Sequence, residues 1–344
     1  MTGTRGDGIG RAVAAAVLTG IRRIVTVAVE LALIPVAAAL LVVVTVLTAP
    51  FSALRGGRWR LVRVFAFAAL YLVVDFGGFV RAGLIWLRYP PLAPEAVARR
   101  TNATYALLDG LLRLLVGVSE RLFGLSLRVT PPVRAVPDGT APLIVLARHA
   151  GPGDSFLLVH VLLSRAETLP RIVLKRVLRL DPCLDVIMGR LPHCFVPARR
   201  GRTTEDAMAD LARDMRPGDA LVIFPEGANY TERRHRRAIA SLRRRNEARA
   251  AARAERLHHV LPPHATGTLA ALAAAPGADV VFVAHTGLDA IDSVSTAWSG
   301  VPLREQVRAR WWRVPAAEVP RDDEARKEWL TAQWSRVDRW IEGH

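Results

Sequence analysis

The chain has little sulfur and almost no lysine. Of 344 residues only Cys183 and Cys194 are cysteine. Two thiols cannot form a disulfide framework, and they lack paired metal-ligand spacing, so the chemistry is not built on sulfur. His258, His259 and His264 lie close together but have no metal-like partners nearby, and no metal site is expected. There is no Gly-x-Ser-x-Gly elbow, which argues against a serine hydrolase. Internal repeats and low-complexity linkers are missing as well. Lysine occurs only at Lys175 and Lys327, yet the formal charge is +16, so arginine carries it. That charge attracts polyanions. A 51% hydrophobic content favours a membrane as the polyanion over nucleic acid.

The apolar residues are concentrated near the start. Ile24 to Pro50 is an apolar run interrupted only by Glu30, and about 20 residues cross a bilayer as a helix. Pro35 is a potential kink. The run is too long for a signal-peptide core and no small-residue cleavage site follows, so it is expected to stay in place. A second stretch, Val64 to Leu87, contains Asp75 and Arg81, which are costly at the bilayer centre unless paired or near an interface. Arginines flank both runs on every side. The positive-inside rule therefore favours a re-entrant or interfacial hairpin held from the cytoplasmic side over two full spans.

From Tyr105 to Phe123 the pattern is helical, and beyond Ser126 short apolar runs alternate with helical stretches. This rhythm predicts an α/β fold, with a mostly parallel or mixed sheet flanked by helices, preceded by an N-terminal hydrophobic helical membrane hairpin. Expected strands are Leu143–Ala147, Arg171–Leu174, Phe195–Pro197, Ala220–Phe224 and Val280–His285, each a near-continuous apolar run of the kind buried on both faces. Residues 1–100 read as a membrane-binding region and 101–344 as one catalytic α/β domain. Within it, about 231–257 form a helix-compatible insertion whose ten arginines face only Glu232, Glu247 and Glu255.

Three motifs follow apolar strands, where ligand sites of open α/β sheets gather. The first is Arg148 to Phe156, containing His149-x4-Asp154. Gly151, Pro152 and Gly153 impose a turn that can fold the carboxylate back to the imidazole, with Asp154 and Ser155 opening a helix. A carboxylate on one ring nitrogen fixes the tautomer and leaves the other nitrogen to take a proton from a hydroxyl. The second is Pro225-Glu226-Gly227, where glycine permits close backbone approach and the acid can hold a hydroxyl or orient a basic group. The third runs from Phe195 through Arg199 and Arg200 to Arg202, and arginine suits a bidentate grip on phosphate. His285 reads as a satisfied histidine at a strand end, and the Trp311–Trp312 pair as core.

His149-x4-Asp154, Phe195 with Arg199, Phe224-Pro225-Glu226-Gly227 and Leu261-Pro262-Pro263 stand in the order of the four blocks of the glycerophospholipid acyltransferase family, which the chain resembles over roughly 126–338. The branch with a long polar insertion after the Pro-Glu-Gly block is most similar. Ala228-Asn229 depart from the family's usual Thr or Ser followed by Arg. The resemblance implies that His149 and Asp154 are catalytic and that Arg199 or Arg200, Glu226, Gly227 and Lys175 bind the acceptor. It also implies no metal, cofactor or covalent acyl-enzyme, with acyl-CoA or acyl carrier protein as co-substrate. The reaction expected is acyl transfer to the free hydroxyl of 1-acylglycerol-3-phosphate, giving phosphatidic acid. Another lysophospholipid or a glycolipid remains open as acceptor. So does a non-catalytic basic protein that binds anionic lipid, although such a scaffold leaves the motif blocks unexplained. Expected partners are a lysophospholipid, the acyl donor and a bilayer with anionic lipids, but not nucleic acid. The catalytic domain is expected on the cytoplasmic side of the membrane.

Overall fold

The structure is a computed structural model that describes residues 4–54, 58–134, 141–151, 153–196, 202–288, 301–303 and 305–344. Contacts divide the chain into two compact units. One comprises 1–111 with 176–191, the other 112–175 with 192–344.

The first unit is helical. α1 (Thr4–Leu54) and α2 (Arg60–Arg88) pack on each other as a hairpin, and α3 begins at Pro94 and runs to Phe123. Pro35 and Pro50 both lie inside α1. By length and composition, the stretches 13–54 and 60–88 can each cross a membrane. Their apolar side chains point largely outward, as at Ile24, Val46, Leu54 and Leu87. Polar groups turn inward instead. Arg22 and Arg23 both grip Asp185, at 2.8 and 2.7 Å, and Asp75 accepts the Cys183 amide at 3.3 Å. Asp185 lies on α5 (Pro182–Met188), in a segment that belongs to this unit although it follows a strand of the other.

The second unit is a seven-stranded mixed sheet ordered β1-β7-β6-β2-β5-β3-β4. Its strands are β1 (Leu127–Thr130), β2 (Leu143–Ala147), β3 (Leu169–Lys175), β4 (His193–Val196), β5 (Asp219–Ile223), β6 (Asp279–Thr286) and β7 (Val307–Val314). The five strands from β6 to β4 are parallel, while β7 runs antiparallel to β6 and takes β1 as its parallel neighbour. β2 is buried along its whole length because both faces are covered. Ile144 and Leu146 join the core with Leu272 of α9 (Ala265–Ala274) and Trp334 of α10 (Asp323–Glu342). Leu143 and Val145 pack the other way, with Leu162 of α4 (Asp154–Ser164). α10 buries Leu330, Trp334, Val337 and Ile341, the stripe that helical spacing brings to one face. α6 (Arg202–Arg213) carries Leu211 and Ala212 into the same core.

All five expected strands form, Leu143–Ala147 as expected and the other four with ends shifted by one or two residues, and Pro197 lies outside the described residues. β1 and β7 were not anticipated. β7 reads VRARWWRV, and its alternating burial marks a half-covered strand rather than the continuous apolar run that identified the others. The arginine-rich insertion is broken in two. α7 (Glu232–Arg244) and α8 (Ala248–Ala254) flank Asn246, whose φ of 58° ends helical continuation.

Candidate active site

The candidate site is assembled where β2 ends. After Ala147 the chain leaves the sheet through Arg148 and His149 and turns back at Gly153, whose φ of 113° is a conformation that favours glycine. Asp154 then opens α4, and its carboxylate reaches back to the imidazole. His149 Nδ1 lies 2.9 Å from Oδ2 and 3.1 Å from Oδ1. A carboxylate can only accept, so Nδ1 carries the proton and Nε2 presents its lone pair. Among the described residues no hydrogen bond engages Nε2. The imidazole side chain keeps 15% of its surface exposed while that of Asp154 keeps 3%, so the base is open to a ligand and its partner is not.

Asp154 is held from several sides. Oδ2 also accepts the Ala150 and Gly151 amides at 2.7 and 3.1 Å, and the Ser155 hydroxyl donates to Oδ1. Burial alone would raise its pKa, but the hydrogen bond and charge of His149, with smaller help from His285 and the Gly151 amide, outweigh burial and hold the acid below the usual carboxylate value. An ionised Asp154 stabilises imidazolium on its neighbour.

The Pro-Glu-Gly block lies beside this loop, at the end of β5. Phe224 sets its ring 4.8 Å from that of His149, and Gly227 takes a φ of 64°, another conformation suited to glycine. Glu226 is placed differently from the expectation that it meets the acceptor. It is 1% exposed, and its two oxygens accept backbone amides, Oε1 from His149 at 2.9 Å and Oε2 from Leu261 at 2.7 Å. A carboxylate spent on two amides ties loops together and does not face a substrate. Burial pushes Glu226 up to about 8, opposed by the two amides and the Arg148 guanidinium. Tyr230 adds a further tie by donating its amide to the His149 carbonyl at 2.9 Å.

Two neighbours were given no role by the motif reading. Arg148 is 1% exposed, and its guanidinium donates to the carbonyls of His259, at 3.2 and 2.9 Å, and His285, at 2.8 Å. His285 donates from Nε2 to the Arg148 carbonyl at 3.1 Å and stands 3.8 Å from Asp154 Oδ2, so it belongs to the site neighbourhood. Placing either required knowing that β6 lies next to β2. Arg199 and Arg200 lie outside the described residues. Lys175 is exposed at the end of β3, paired in register with Val196, the residue after which the chain continues towards Arg199. Among the described residues no His, Cys, Asp and Glu cluster suits a metal ion.

An apolar cavity of about 120 Å³ adjoins the dyad. Asp154 and His285 contribute to its wall, which continues along Leu157 and Val161 of α4 and Val145 and Val281 of the sheet.

The His149–Asp154 pair thus stands at the carboxyl end of a parallel strand of the sheet, beside an apolar cavity. Residues 130–275 match the model of the Acyltransferase family. The fold is similar to that of the 1-acyl-sn-glycerophosphate (LPA) acyltransferase PlsC from Thermotoga maritima, with a TM-score of 0.50, 14% identity, and coverage of 83% of this chain and 97% of that one. No curated protein matches the chain.

Proposed function

We propose that the chain transfers a fatty acyl group from a thioester, acyl-CoA or acyl carrier protein, to the free hydroxyl of 1-acylglycerol-3-phosphate, giving phosphatidic acid. The observation that carries this reading is the His149–Asp154 pair with Nε2 left open. His149 Nε2 takes the hydroxyl proton while Asp154 steadies the charge that forms on the ring. The acceptor oxygen attacks the thioester carbonyl, a new C–O bond forms, and collapse of the tetrahedral intermediate breaks the C–S bond. The departing thiolate takes the proton back from His149, so the base is restored without a covalent acyl-enzyme.

The cavity beside Asp154 suits a hydrocarbon chain, since its wall is almost wholly apolar. Arg199 or Arg200, with Lys175, supplies positive charge for the acceptor phosphate. Glu226 and Gly227 shape the loop that holds His149. The outward-facing apolar side chains of α1 and α2 hold the enzyme at the membrane, with the sheet unit on the cytoplasmic side, and the exposed arginines of α7 and α8 attract anionic lipid.

The test is thiol release from oleoyl-CoA by membranes carrying wild type or His149→Ala, with lysophosphatidic acid or lysophosphatidylcholine as acceptor. Turnover with lysophosphatidic acid should fall by about 10² to 10⁴ in the variant. Full activity in His149→Ala would overturn the mechanism, and turnover only with lysophosphatidylcholine would replace the acceptor.

A further inference from the structure

Resting on the acyl-transfer reading, we propose that Asp338, far along the chain on α10, is a positioning residue for His149. Its carboxylate is buried, 3% exposed, and accepts the amides of two consecutive residues: His258 at 3.1 Å to both oxygens and His259 at 2.7 Å. Those residues open the short strap 258–261, and two of its polar groups lead back to the dyad. The His259 carbonyl takes the Arg148 guanidinium through Nε and Nη2. The Leu261 amide goes to Glu226 Oε2, whose other oxygen holds the His149 amide. The Leu261 carbonyl accepts Trp334 Nε1 at 3.1 Å, a second tie from α10.

Charge orders the strap as well as geometry. A carboxylate sits on its N–H groups and a guanidinium on its next carbonyl, so the local peptide dipoles point from acid to base in the sense both ions favour. The strap is thereby fixed at one end by Asp338 and grips at the other the two residues, Arg148 and Glu226, that set where the His149 backbone lies. Moving it displaces the imidazole without removing any group that touches substrate. Asp338 also lies outside 130–275, the stretch that matches the family model.

The experiment compares wild type, Asp338→Asn and Val337→Ala. Val337 is likewise buried on α10 but its side chain can accept nothing from the strap, so its truncation controls for a general loss of stability. Asparagine removes the negative charge and replaces one of the two oxygens that meet the His258 amide with an NH2 donor. In Asp338→Asn, kcat should fall by about tenfold to a hundredfold with little change in KM, as expected when a catalytic group is displaced. The histidine ring resonances of His149 should move. Val337→Ala should lower thermal stability and leave kcat and those resonances in place. Arg148→Lys, which keeps the charge but loses the fork, should add little to the kcat loss of Asp338→Asn, because the two act along one path. If Asp338→Asn does not fold, Asp338→Glu carries the same expectations.

Unchanged kcat and unmoved His149 resonances in the folded variant would overturn the proposal, as would equal changes in Val337→Ala. A wild type silent with every acceptor would sink the acyl-transfer reading instead, while the resonances would still decide whether Asp338 positions His149.

Discussion

The two units sort their side chains in opposite ways. In the helical unit Ile24 and Leu54 are 71% and 86% exposed while Glu30, Asp75 and Asp185 are buried. In the sheet unit Ile144, Phe282 and Trp334 are fully buried, and the polar residues that join them, Arg148, Asp154, Glu226, His285 and Asp338, gather around one loop cluster. Water as the only solvent explains the second pattern and not the first. An apolar exterior over a polar seam is stable where the surroundings are lipid. Buried polarity also has two meanings here. In the hairpin unit it joins helices to a short segment of chain, and in the sheet unit it holds the loops around His149 and Asp154.

The sharpest test of this contrast is Trp334→Ala, which removes a fully buried indole from the sheet core. It should cost about 3–5 kcal/mol, read as a shift of the denaturation midpoint, and a loss below about 1 kcal/mol would deny α10 its part in the core. Next is Leu40→Arg on the exposed side of α1. A charge at the centre of a membrane helix costs about 2.5–3.5 kcal/mol, so vesicle flotation should weaken while the melting temperature in detergent holds. Equal flotation would place that face away from lipid.

Asp185→Asn leaves Arg22 and Arg23 with a weaker acceptor. The helical unit should lose about 1–3 kcal/mol, visible as faster proteolysis within 176–191, while the sheet unit's melting is unaltered. The effect spread over the widest range of conditions, and so smallest at any one step of pH, concerns Glu226. Its folded pKa of about 8 lies above the ordinary 4.5, so its contribution is fully present below about pH 4.5 and is lost as pH rises through 8. Wild-type stability should decline over that window by at most about 1.4 kcal/mol per pH unit. Glu226→Gln should flatten the decline, and a wild-type profile that is already flat would remove Glu226 as its source.

Much of this was legible in the sequence because each signal was local. The buried strands announced themselves as apolar runs, the hairpin as long apolar helices, and the dyad as five residues bent by glycine. What escaped depends on partners distant along the chain. β7 carries arginines between its apolar residues because one face is only partly covered, and nothing local marks it as the neighbour of β6. Glu226 sits in a recognisable motif, yet which way its carboxylate points is decided by the Leu261 amide, 35 residues away in sequence. Asp338 has no motif at all. Its significance comes only from the strap it meets.

That strap also imposes an order in time. α1 and α2 are neighbours in sequence and can pair as soon as both exist, whereas β2 must wait for β5 and β6 to flank it, and the strap must wait for α10. Chains are made from the N-terminal end. The hairpin can therefore be complete while His149 still lacks the framework around it.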